Sequence, residues 1–212
     1  MPTSTRRSSG TCSNAGSTSR PRSSRRCSSR WRTARRRWTG LSTLSASIWD
    51  TIADEAARES PIWQEALRPE AERELAPVFS PLGEDRYALG LESIYEGYLV
   101  HYGRPRLFEP PDRDTALLLG DYLYAHGLVR IASHGSAGAV LDLAELISVC
   151  ARMRGEGVAG DGIVWAATAA HLGAGMLEEP RMALRETGDL GPLEALARGA
   201  EAALAAHAQR AG

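Results

Sequence analysis

From Leu41 onward, apolar residues recur three and four positions apart, and no stretch alternates apolar with polar. A strand buries every second side chain, whereas a helix buries one stripe. A chain patterned this way must therefore bury helices against helices. The strongest case runs from Glu84 to Tyr102, where Leu91, Ile94, Tyr95, Tyr98 and Leu99 make one stripe, and Gly103 and Pro105 stop it. The same spacing predicts a first helix over 44–60, with Ile48, Ile52 and Ala56 on one face. Pro61 opens a second over 61–79, which Pro69 kinks or restarts, and SPLG at 80–83 is a turn. Asp112 or Asp114 caps a helix that runs to about Ser133 and ends at His134-Gly135. Further helices are expected over 137–155, 161–175 and about 192–209. No glycine-rich strand-to-helix loop is present. The expected class is all-α.

Residues 1–40 differ in kind. They hold 11 arginines, no acidic residue and almost no aliphatic ones, too little apolar surface to offset chain entropy. The expectation is a disordered tail before a helical domain over 41–212. Three origins fit it: an organelle targeting peptide, an arm that binds nucleic acid with Trp31 and Trp38 stacking on bases, or a misplaced start read out of frame. The last, or an inert tail, is favoured, and no secretory h-region is present. The remainder carries 14 arginines against 26 acids, a net charge of −12, so the folded part is not expected to bind nucleic acid. Cys12, Cys27 and Cys150 are too scattered for a disulfide framework or zinc site, and no stretch is long and apolar enough for a membrane span. A soluble, cytoplasmic protein is expected.

Four phrases, in order, carry a resemblance. They are Gly103-Arg104-Pro105, Gly120-Asp121-Tyr122-Leu123, the segment AVLDLAELISVCARMRGEG at 139–157, and WAATAAHLGAG at 165–175. Residues 91–176 resemble part of a trans-polyprenyl diphosphate synthase, the all-helical isoprenoid synthase fold. The resemblance implies a partial synthase-like bundle and a link to prenyltransferase chemistry. That chemistry ionises an allylic diphosphate and needs Mg²⁺, a hard cation with oxygen ligands, held by a DDxxD motif one helical turn long.

The chain departs from the family where the chemistry sits. The motif would fall at Ser93–Gly97, where none of its three aspartate positions is acidic. An expected arginine pair reads His101-Tyr102, and a lysine position reads Asp161 in a chain with no lysine. The second aspartate-rich motif would lie beyond Gly212. Glu92 and Glu96, four apart on one helical face, are the substitute metal ligands to consider, with Mg²⁺ the cofactor if a residual diphosphate site exists. Arg104 and Arg106 are candidates to grip diphosphate. Tyr95, Tyr98, Asp121 and Tyr122, with His126 beside them, are candidates to line a substrate chamber. The plainer readings are a solvated acidic face for Glu92 and Glu96, and loop arginines paired with Glu109, Asp112 or Asp114. For the tyrosines it is ordinary core packing. The leading expectation is a non-catalytic relative, an accessory subunit that binds a catalytic polyprenyl synthase or forms a homodimer. The alternatives are a divergent prenyl diphosphate-binding transferase, a helical interaction module with no isoprenoid role, and a truncated or frameshifted product.

Overall fold

In the computed structural model, which describes residues 48–211, the periodic segments are helices. Residues 1–47, including the arginine-rich segment with Trp31 and Trp38, and Gly212 lie outside the described residues. The helices are α1 (48–59), α2 (Pro61–Glu65), α3 (Ala88–Tyr102), α4 (Arg113–Ser133), α5 (Ala137–Glu156), α6 (Asp161–Ala170), α7 (Glu178–Thr187), α8 (Gly191–Leu196) and α9 (Glu201–Ala211). Among the described residues the only extended pairing is one antiparallel bridge between Leu67 and Phe108. None of the described helices is long and apolar enough to cross a membrane.

Local chemistry sets the ends. Ser60 caps α2 ahead of Pro61 at its first position, and the Asp112 carboxylate accepts the Thr115 N–H at 2.7 Å to start α4. Gly157, in the left-handed region at φ 69°, closes α5.

Three expected segments come out differently. Over 61–79 only the first five residues are α-helical, because Pro69 supplies no N–H and the chain turns to pair with the loop after α3. There the Arg68 N–H donates to Leu107 O at 2.8 Å and the Glu109 N–H to Ala66 O at 2.7 Å. The segment 161–175 stops at Ala170, and the Gly173 N–H turns to donate to Asp142. The last segment breaks between α8 and α9, where Gly199 sits at φ 88°. Helix α7 was not expected at all. Its buried face carries only Leu184 and Arg181, too little for an apolar stripe.

Two helices form the centre. Every residue of α3 from Gly90 to Val100 is buried, as is most of α6. Helix α4 packs along α3 through glycines seven apart on each partner, Gly90 and Gly97 facing Gly127 and Gly120. A Cβ on Gly97 would stand 2.9 Å from the Gly120 carbonyl oxygen, and one on Gly127 would stand 2.9 Å from that of Gly90. The two backbones touch. Behind α3, Phe79 and Trp165 stack at 5.4 Å, and Tyr95 meets Trp165 edge-on at 5.1 Å. A second cluster of Trp49, Ile52, Leu107, Phe108 and Leu119 seals α1 against the other end.

Candidate functional site

Glu92 and Glu96 share the face of α3 that meets residues 76–80 and 106–107, and both are fully buried. Between them lies Arg106, also fully buried. Its Nη1 donates to Glu92 Oε2 at 2.7 Å and its Nε to Glu96 Oε2 at 2.9 Å. The remaining carboxylate oxygens take backbone donors: Glu92 Oε1 from Val78 and Ser80 at 3.2 and 3.1 Å, Glu96 Oε1 from Arg106 and Leu107 at 2.8 and 2.7 Å. The guanidinium also lies 4.2 Å from the Trp49 ring centroid and 4.9 Å from that of Tyr95. The result is a closed clip pinning the loop after α3 onto α3 itself.

This arrangement corrects the plainer expectations of a solvated acidic face and of a loop arginine paired with Glu109, Asp112 or Asp114. It also bears on magnesium. That ion takes six oxygen ligands in near-octahedral order, yet every oxygen of this pair already accepts an N–H and a guanidinium occupies the space between. As they stand, Glu92 and Glu96 do not fit the ion. Among the described residues, no group of three or more His, Cys, Asp or Glu side chains gathers where it could hold a metal. Arg104 lies outside the clip, exposed and 3.8 Å from Glu74.

Tyr95 and Tyr98 do not face a chamber with Asp121 and Tyr122. They turn toward α6 and α9, stacked with centroids 6.0 Å apart. The Tyr95 hydroxyl is 3.1 Å from His207 Nδ1, and the Tyr98 hydroxyl donates to Asp161 Oδ2 while accepting from Arg154 Nε at 2.8 Å. Arg154 also donates to Asp161 Oδ2 through Nε at 2.9 Å, and its Nη2 lies 2.8 Å from the same oxygen as an ion pair. His207 Nε2 is 3.5 Å from the same oxygen but off the hydrogen-bonding line, so the contact is electrostatic. A lone pair there would face a carboxylate, so the proton sits on Nε2 and Nδ1 accepts from Tyr95.

Burial pushes the Asp161 carboxyl up, but His207, Tyr98 and Arg154 together outweigh it and hold the group well below the usual carboxylate range. Burial, then the hydrogen bond to Asp161, raises the Tyr98 phenol, which stays protonated. Arg154, Asp161 and His207 of this network form one wall of a cavity of about 550 Å³ between the end of α5, the 157–160 loop, the start of α6, and α9.

Asp121 stands on the exposed side of α4, with Oδ1 3.3 Å from His101 Nε2. Tyr122 packs on Trp63 and His126, each with centroids 4.1 Å away, in the second cluster. The six substrate candidates are thus dispersed over five places. Burial holds the His101 pKa below its ordinary value, opposed by Asp121. A histidine whose folded pKa lies below its unfolded 6.5 keeps its full stabilising effect above that value. The effect is lost as pH falls through the window beneath it, because the unfolded chain binds the proton first. Urea melts at pH 7.5 and 5.5 should therefore show a larger acid loss in the wild type than in His101→Asn.

Sequence reasoning missed the Arg154–Asp161–His207 assembly, whose members come from three helices up to 53 positions apart. It also missed the Arg181–Asp142 pair, buried at 2.8 Å and joining α7 to α5. One signal was present for the clip: two carboxylates inside an otherwise apolar stretch need a cation, and Arg106 follows ten residues on. No family model, curated protein or solved structure matches this chain. What the chain does therefore rests on what these side chains can do.

Proposed function

We propose that this chain is a non-catalytic, polyprenyl synthase-like helical protein that acts as an accessory subunit in isoprenoid biosynthesis. The observation that carries the reading is the clip. Both carboxylates on the helix where the resemblance puts the metal motif are bonded to Arg106, whose guanidinium offsets one of their two charges and fills the space between them, which supports a helix kept for structure rather than for metal chemistry. Asp161, at the expected lysine position, binds Arg154 rather than presenting a cation. A partner also has somewhere to sit. On the side of α4 away from α3, Leu117, Leu118 and Val129 are exposed, Leu118 and Val129 by about two-thirds.

A second reading, a helical interaction module with no isoprenoid role, is favoured by the α3–α4 seam. Its touching backbones leave no chamber between the two helices that would hold a prenyl chain.

Purified chain given Mg²⁺, isopentenyl diphosphate and allylic primers should show no turnover; product formation would restore the transferase alternative. Mixed with a DDxxD-bearing synthase from the same source, it should co-elute and alter product length. Absence of both effects with every such synthase sinks the accessory role and leaves the module.

A further inference from the structure

The cavity beside Asp161 belongs to no part of the reading above, and its chemistry is distinctive. Met153, Val158, Ile163 and Leu204 give it apolar walls, while Gly162 lets the His207 ring close one side, since a Cβ there would stand 2.8 Å from Cδ2. Its volume is in the range of sites that hold small organic molecules, roughly 300–1,000 Å³.

The polar wall is balanced before any ligand enters. Arg154 donates Nε to Asp161 and sets Nη2 2.8 Å from it, and Tyr98, Arg154 and His207 all converge on Oδ2. Oδ1 takes none of these bonds and remains an acceptor, and Arg154 Nη1 remains a donor. An anion entering here would meet the Asp161 carboxylate with the single cation already committed. A cation would meet Arg154. A neutral group that both donates and accepts meets neither penalty, because moving an uncompensated charge out of water costs far more than moving a hydroxyl that finds two partners.

We infer that this cavity is a binding site for a small neutral molecule with an apolar body and one alcohol head, the hydroxyl bridging Asp161 Oδ1 and Arg154 Nη1. The α6 start alone would not carry this. The second observation is the cavity itself, whose apolar walls meet Arg154, Asp161 and His207, the last about 95% buried. The site is independent of the accessory role, and either stands without the other.

The test uses the full chain, with 1-decanol, decane and decyl phosphate as probes, followed by calorimetry and amide shifts. Decanol should bind and move the amides of 157–163 and 204–211. Decane and decyl phosphate should each bind at least tenfold more weakly. Ala208 is an exposed part of the lining, so Ala208→Trp should fill the cavity and abolish decanol binding while leaving the melt unchanged. Val158→Trp, also at a half-exposed position, serves if the first variant does not fold. Decanol binding that both fillings leave intact, phosphate binding as tight as decanol, or no binding of any probe overturns the site.

Discussion

Arg106→Met should cost the fold on the order of 3–5 kcal/mol, the usual range for breaking a buried ion pair and stranding its partner. Here two carboxylates are stranded. Glu92 and Glu96 have no exposure to water and would keep only their backbone donors, two each. The loop after α3 would lose its anchor too, since the Arg106 guanidinium also reaches the Ala76 carbonyl at 3.2 Å. The expected urea midpoint is therefore far below wild type at pH 7.

Two comparisons separate charge from packing. In Glu92→Gln/Glu96→Gln/Arg106→Met, amide oxygens still accept the backbone N–H groups and no charge is left over, so most of the loss should be recovered. Arg106→Met alone should regain stability as pH falls from 7 toward 5. There the folded variant takes up protons that relieve its uncompensated charge, and stability rises with acid whenever the folded state binds more protons. If the single variant were as stable as wild type at pH 7, the clip would be ornamental, and the proposal that Glu92 and Glu96 serve structure would fall with it.

What the sequence made legible follows from range. Helix α4 was readable to within two residues of its start, Asp112 or Asp114 being its cap, because that end is settled locally, between Asp112 and Thr115. The all-α class was readable because a helical stripe is a local property of ten or fifteen residues. Helix α7 was not, because the residue that buries it, Arg181, becomes a core side chain only when Asp142 and Thr168 arrive from α5 and α6. The site shows the same limit. Four-residue spacing put Glu92 and Glu96 on one face, but the occupant of that face was decided by a loop that folds back after the helix ends. Tyr95 and Tyr98 were rightly placed as possible core. Their partners, His207 and Asp161, lie 112 and 63 residues on, where no periodicity reaches.

The glycine seam offers a test whose sign differs from position to position. Replacing a helical glycine with alanine ordinarily stabilises by up to about 1 kcal/mol, through helix propensity and a less flexible unfolded chain. Gly155, in α5, has nothing within 4 Å of where a Cβ would stand, so Gly155→Ala should raise the melting temperature. Gly97→Ala should do the reverse. Its new carbon would stand 2.9 Å from a main-chain oxygen of α4, and a backbone carbonyl cannot swing aside as a side-chain tip can. The helices must separate, and overpacking of this kind costs about 1–3 kcal/mol, which exceeds the propensity gain. Gly127→Leu adds a larger group on top of Ile94 and the Gly90 carbonyl, and should cost more again. Gly120→Ala falls between, because the obstacle is the His101 ring, which can rotate at the expense of its contact with Asp121. Denaturant melts of the four variants should rank them Gly155→Ala above wild type, then Gly120→Ala, Gly97→Ala and Gly127→Leu. A Gly97→Ala protein as stable as wild type would mean that α3 and α4 stand apart, reopening the space between them that a prenyl chain would need.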